Sequence, residues 1–470
     1  MRVLFWFRRD LRLHDNTGLS EAVRDADGDV VPFYGSEPSI LRRDDIAAIR
    51  VRFALESIAD LAEAVQHAGS QLVIDHGEAS ETVPLAAREA RADAVYWNDE
   101  YEPSLRGRDD AVEATLRAEG IAVRRFHDRL LVPPGAALTR GGTAFTVFTP
   151  FQRACAALPV AGPVPEVRTL AAHDLGSLRL ATLDELGFAT TQKSWPGGAR
   201  AGRIRLDRFV RERLIRYEAG RDRLDQDGTS RLSADLKFGT LSPRTVAQAV
   251  RDAAADDPRV RPSAQKYLSE LRWRDFFAHV LFHHPHCEQR AFRTEYDAIE
   301  WAGDPSHLDA WQWGQTGYPI VDAGMRELAA TGFMHNRARM IVASFLTKDL
   351  LLDWRAGERH LMRQLVDGDL ASNNGGWQWA AGTGTDAQPW FRVFNPALQG
   401  RRFDPEGVYV RRWIPELADV EARAIHTPGA AHAAVPSYPP PIVDHAVQRR
   451  RALAMYRQAL PRMTTTPGIE

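Results

Sequence analysis

Val3-Leu-Phe-Trp-Phe-Arg-Arg-Asp10 decides the reading of the first third of the chain. Five apolar residues are too few for a signal core or a membrane span, and charge follows them at once. The run therefore reads as a buried strand. Outward from it, Val30–Tyr34, Gln71–Asp75, Ala94–Trp97 and Ile121–Phe126 repeat the pattern of short β-branched or aromatic runs. Amphipathic stretches separate them, such as Leu55, Ile58, Ala59, Leu61, Ala62 and Val65 at helical spacing. This alternation predicts an α/β domain over residues 1–130, a doubly wound, Rossmann-like parallel sheet with helices on both faces. No GxGxxG follows the first strand, so the sheet is not read as a nicotinamide-binding domain.

Residues 131–198 are rich in Pro, Gly and Ala with weak periodicity, and read as a connection that wraps rather than packs. From 199 to 470 strand-like runs almost vanish. Helical patterns over Lys266–His283, Gly317–Ala330 and Met334–Trp354 predict an all-α domain, closed by a basic helix from about Val443 to Leu460. A chain of 470 residues exceeds what one core serves, which agrees with two domains. With 44% hydrophobic and 26% charged residues it is expected to fold, and a net charge of −2 means that any nucleic-acid contact must come from a local basic face. Cys155 and Cys287 lie far apart without metal-ligand spacing, which argues against a disulfide framework or structural zinc and for a reducing, cytoplasmic setting.

Eight of the twelve tryptophans fall between Trp273 and Trp390, so the chemistry is sought there. On the helix Tyr267–Phe277, Glu270, Trp273 and Arg274 share one face: a hydrogen-bond acceptor, a stacking plane and a phosphate partner for a nucleobase, or a surface Glu–Arg pair on an amphipathic helix. In Phe333–Ile341, Asn336, Arg339 and Met340 share a face, joining an amide to a soft apolar surface on which a planar heterocycle can rest. Asp367-Gly-Asp-Leu-Ala-Ser-Asn-Asn-Gly-Gly-Trp-Gln-Trp379 sets Asp369 one turn before Asn373, with glycines that admit a large flat cofactor, although either Asp taken separately suits a helix N-cap. Trp377 and Trp379 point to different sides. Thr229–Ser233 offers hydroxyls and amides ahead of a helical pattern, as a phosphate site or as a simple cap.

Taken in order, these segments resemble the DNA photolyase and cryptochrome family along nearly the whole chain. Phe5–Asn16 is similar to the family's opening strand and turn, and Thr229–Ser233, Glu270–Arg274, Thr316–Ala323, Met334–Met340 and Asp367–Trp379 to its flavin-domain signatures. The resemblance implies FAD, active when reduced, in the helical domain. Tyr217, Thr229, Ser230, Arg231, Leu232 and Ser233 would face its phosphates; Arg339, Asp367, Gly368 and Asp369 complete the cofactor set, and Asn373 faces the flavin N5. Trp377, Trp354 and Trp301 are implied as an electron relay from the surface.

Asn336 and Met340, where (6-4) photolyases typically carry His, imply a pocket for cyclobutane pyrimidine dimers, completed by Glu270, Trp273 and Trp379. Damaged bases flip out of the duplex, and Arg221, Arg274, Arg337 and Gln399 contact the strand. UV-damaged DNA is thus the expected partner, with a monomer, no membrane and no metal. Arg50, Glu100, Glu102 and Lys237 resemble the antenna positions of deazaflavin-binding relatives, which implies 8-hydroxy-5-deazaflavin, with methenyltetrahydrofolate as the alternative. Tyr101-Glu102 continues Pro103-Ser104-Leu105 and departs from the folate pattern. A blue-light receptor and a (6-4) photolyase are the competing functions.

Overall fold

A computed structural model describes residues 1–387 and 389–459. Grouped by internal packing, they form two compact units: 1–221 with 228–285 and 362–372, and 222–227 with 286–361 and the chain from 373 onward. The first unit holds a five-stranded sheet of β1 (Val3–Phe7), β2 (Val30–Ser36), β3 (Val73–His76), β4 (Ala94–Asn98) and β5 (Ala122–Phe126), in the order β3-β2-β1-β4-β5. Every pairing is parallel. Two-residue periodicity explains why β1 can be wholly apolar. Val3, Phe5 and Phe7 enter the core beneath the helices Thr17–Ala26 and Ala48–His67, while Leu4 and Trp6 enter the one beneath Ala79–Glu89 and Pro103–Ala118.

Charge follows β1 so abruptly because the next loop is a buried ionic latch. Asp128 has no exposed side-chain surface and lies between Arg12 and Arg244, the latter 2.7 Å away. Arg244 also reaches Asp15 at 2.8 Å, and Arg12 Nη1 donates to the Gly239 carbonyl at 2.8 Å. Burial alone would raise the Asp128 pKa, but Arg12 and Arg244 outweigh it and hold the carboxyl well below its usual range.

Two readings of the sequence change. The connection 131–198 contains a helix, Phe148–Ala156, and elsewhere packs as well as wraps: Val167 and Leu170 enter the sheet's core while their amides donate to Leu13 and Ala68. The expected helix Met334–Trp354 is broken into Asn336–Lys348 and Trp354–Met362. Between them Leu351 turns left-handed at φ 57°, its carbonyl accepting from Gly303 N at 3.0 Å, and the Asp349 side chain pairs with His445. The last helix runs His445–Ala459, and the expected end at Leu460 lies outside the described residues. No described helix is long and apolar enough to cross a membrane.

The latch makes the first test. Asp128→Ala leaves the buried Arg12 without its carboxylate and Arg244 with Asp15 alone, which costs about 3 kcal/mol and lowers the urea midpoint. Because the folded pKa is depressed, the wild-type advantage is complete above about pH 4 and shrinks as pH falls below it. Urea titrations of both proteins across that range measure it.

Candidate nucleic-acid and cofactor site

Within the first unit a cavity of about 390 Å³ opens at the C-terminal ends of the strands. Apolar side chains such as Ile40, Val51, Leu55, Ile58 and Ile74 form most of its wall. Arg50, Glu100, Glu102 and Lys237, named from the sequence, all line it. Arg9 closes the group by pairing with Glu100 and Glu102, and Lys237 Nζ stands 3.9 Å from Glu102. Burial, with Arg9 nearby, lowers the Lys237 pKa to about 7. Arg50 is spent on the chain itself, donating to the carbonyls of Met362 and Leu365.

From this wall ions continue inward. Arg129 pairs with Glu100 and stands 3.7 Å from Asp369, whose Oδ1 accepts from Ser372 N at 3.1 Å as it caps the helix Leu370–Ala381. Burial raises the Asp369 pKa, but Lys237, Arg129 and Arg9 outweigh it and keep the carboxylate ionised. Arg274 turns into the same network and donates to the carbonyls of Arg129, at 2.6 Å, and Leu236, at 3.0 Å. A guanidinium held by two carbonyls is not presented to a strand of DNA, so Arg274 leaves the phosphate contacts read from the sequence.

Elsewhere in that unit lies the loop 229–232. Arg231 is left-handed at φ 56°, and Tyr267 donates to the Ser230 hydroxyl at 2.9 Å. Arg213 anchors the loop through the Thr229 carbonyl at 3.1 Å; Leu232 is buried and Ser233 exposed at the start of Ser233–Phe238. Tyr217 is buried with its ring 5.0 Å from that of Tyr267. Glu270 is half-buried between Arg221, its direct partner, and Lys266 at 3.5 Å. Trp273 is already stacked on Phe148, centroids 3.8 Å apart and planes 10° apart, so one of its two faces is covered before any base arrives.

In the second unit Asn336 is exposed at the start of its helix with Nδ2 3.9 Å from Met340 Sδ, so the two form one surface. Arg339 Nε donates to the Met334 carbonyl at 2.8 Å. Arg337 pairs with Asp222 at 3.0 Å and lies 4.3 Å over Phe403, its Nε buried with no hydrogen-bond partner among the described residues. Gln399, on Pro396–Phe403, likewise keeps a buried, unpartnered Oε1. Asn373 is buried and donates from Nδ2 to the Glu358 carbonyl at 3.1 Å, which fixes the amide and reserves its oxygen as an acceptor.

Trp377 and Trp354 are both buried. The Trp377 ring rests on Gly357, one turn along the helix from Trp354; a Cβ there would come within 2.1 Å of the indole. Trp311 meets Trp377 edge-on at 6.0 Å. Trp301 and Trp379 are half-buried. Gly357 escaped the sequence reading, although a glycine inside a helical pattern is the signal for such a close approach. Arg9 and Arg129 escaped it too, because buried ion pairs formed across distant segments carry no local pattern. Asp367 and Gly368 are buried beside Arg50, whose Nη2 stands 2.2 Å from where a Cβ on Gly368 would lie.

In the second unit the Asn373 oxygen suits a ring N–H, and in the first the hydroxyls of the 229–233 loop suit a phosphate, so each fits one part of a flavin dinucleotide.

Comparison with known proteins agrees with the geometry. The family model described as the FAD binding domain of DNA photolyase matches residues 267–458, and the DNA photolyase model matches residues 3–168. A deoxyribodipyrimidine photo-lyase of Halobacterium salinarum is 43% identical, over 97% of this chain and 99% of its own. The crystal structure of a bacterial class III photolyase from Agrobacterium tumefaciens superposes with a TM-score of 0.90 at 38% identity, covering 97% of each chain. An archaeal photolyase from Sulfolobus tokodaii, solved with two FAD molecules, superposes with a TM-score of 0.85 at 35% identity, over 97% of this chain and all of its own.

Proposed function

The chain belongs to the DNA photolyase family, and from that premise we propose that it repairs cyclobutane pyrimidine dimers in UV-damaged DNA with light and reduced FAD. It is a flavoprotein and a carbon–carbon lyase. The full-length identity to a deoxyribodipyrimidine photo-lyase carries the reading. FAD, when bound and fully reduced, supplies on absorbing blue light the electron that opens the cyclobutane ring and recovers it afterwards.

The chain's own residues bind and position. Tyr217 and the loop Thr229–Ser233 would take the phosphates, with Arg339, Asp367, Gly368 and Asp369 completing the hold. Asn373, with its amide fixed by Glu358, accepts a hydrogen bond from the reduced ring. Glu270, oriented by Arg221 and Lys266, accepts from an imide N–H of the flipped lesion. Asn336 and Met340 form its exposed polar and soft apolar wall, with Trp379 and the open face of Trp273 as stacking surfaces. Arg221, Arg337 and Gln399 hold the strand, and the affinity falls with salt. Trp377, Trp354 and Trp301 pass electrons inward, and the half-exposed end is where water best stabilises positive charge. The domains are taken as 1–130, 131–198 and 199–470, in a cytoplasmic monomer.

The 390 Å³ cavity is assigned to the antenna, with 8-hydroxy-5-deazaflavin as its occupant. Its apolar wall suits a flat ring system, and Lys237 at its charged end suits an anionic edge.

Photoreduced protein given a cyclobutane dimer and, separately, a (6-4) photoproduct in short single strands is expected to restore thymines from the first alone, under blue light only. Repair of neither sinks the enzyme reading. Glu270→Ala lowers the repair yield and keeps the flavin; loss of flavin would instead make Glu270 a cofactor residue. Trp301→Phe slows photoreduction and spares repair by chemically reduced enzyme, and an equal fall in both would refute the relay. Deazaflavin added to the purified protein should bind with an affinity that declines as pH rises through about 7, where Lys237 loses its charge. Absence of a bound chromophore band at any pH counts against the assignment.

A further inference from the structure

Beside the three relay tryptophans, the second unit holds an aromatic group that repair and photoreduction as described do not use. Tyr456, on the last helix, is fully buried. Trp301 meets its ring edge-on, centroids 6.3 Å apart at 87°, and Trp390 lies parallel to it, 6.2 Å away at 9°. One phenol ring therefore stands between two half-buried indoles.

The two outer positions differ in chemistry. The Tyr456 hydroxyl donates to the Ala381 carbonyl at 2.5 Å. A backbone carbonyl does not take up the proton that a phenol must shed on oxidation, and burial pushes this phenol's pKa up. Tyr456 can thus carry an electron across but is a poor place for a hole to rest. Trp390 borders solvent, and its neighbour Phe391 is 58% exposed. Arg457 Cζ stands 5.9 Å from the Trp390 ring, so a second positive charge there is repelled and the indole N–H proton leaves the more readily. The segments that carry Trp390 and Tyr456 are each tied to the end of the helix Asn336–Lys348. Lys348 Nζ donates to the Arg392 carbonyl at 2.8 Å, and Asp349 pairs with His445 at the start of the last helix.

We propose that Trp390, reached from Trp301 across Tyr456, is the surface terminus of the electron relay. The inference rests on the relay reading above. Trp301, having lost one electron inward, regains one from Trp390. The Trp390 cation radical releases its Nε1 proton to water, and the neutral radical then takes a hydrogen atom from a low-molecular-weight thiol, which restores the indole and leaves a thiyl radical.

Flavin-loaded protein and its Trp301→Phe, Trp390→Phe, Tyr456→Phe and Tyr456→Leu variants would be compared by transient absorption and by spin resonance after a light pulse. Trp390→Phe, with flavin content and melting temperature retained, should shorten the charge-separated state several-fold and lower stable photoreduction in the presence of thiol. Tyr456→Phe keeps the ring and should behave as wild type, whereas Tyr456→Leu should match Trp390→Phe. A wild-type lifetime in Trp390→Phe while Trp301→Phe is impaired would overturn this extension alone. A tyrosyl signal in the wild type, lost in Tyr456→Phe, would overturn it by making Tyr456 the terminus. An unaffected Trp301→Phe would remove the relay and the extension together.

Discussion

Asp128 is ionised although sealed from solvent, and Arg12 and Arg244, with Thr17 donating from N and Oγ1, offset the cost of that burial. Arg12 follows β1 and Arg244 opens the helix Pro243–Asp256, so the carboxylate ties segments more than two hundred residues apart. The loop after β1 is consequently rigid. Arg8 and Arg9 lie in it, and Arg9 meets Glu100 and Glu102 with a fixed reach. Gly239, left-handed at φ 63°, lets the Arg9 carbonyl come within 2.2 Å of where a Cβ would lie. The cavity wall, Arg129 and Asp369 are then positioned in turn.

That network also explains why a chain with almost no net charge can hold anionic groups. Arg9, Arg129, Lys237 and Arg274 surround Glu100, Glu102 and Asp369, so in this one cluster four basic groups face three carboxylates although the whole sequence is slightly acidic. Local excess in a low dielectric acts more strongly than the global sum.

Periodicity made the sheet legible. β1, with Val3, Phe5 and Phe7 on one face and Leu4 and Trp6 on the other, could only be a strand covered on both sides. The helix holding Asn336 and Met340 was legible for the same reason, since i and i+4 must share a face. What spacing could not give was the break after Lys348, because Leu350, Leu351 and Leu352 continue an apolar pattern while long-range partners, Gly303 and His445, turn the backbone. Arg274 failed in a related way. Its place beside Glu270 and Trp273 suggested one shared face, but carbonyls from residues 129 and 236, invisible to local pattern, draw the guanidinium inward.

The two units answer different electrostatic demands. In the first, desolvated ions are matched one against another, and each pair fixes its neighbour's geometry. In the second, the tryptophans proposed as a relay carry no ordinary charge, and what varies is their access to water: Trp377 and Trp354 are sealed, while Trp301 and Trp390 are half-open. A transient positive charge is least stable where it cannot be solvated and so moves outward unaided. Gly357 serves that gradient by letting the Trp377 indole lie against the backbone of the helix that begins with Trp354. Any side chain there would push the Trp377 indole off that helix, without touching a single charge.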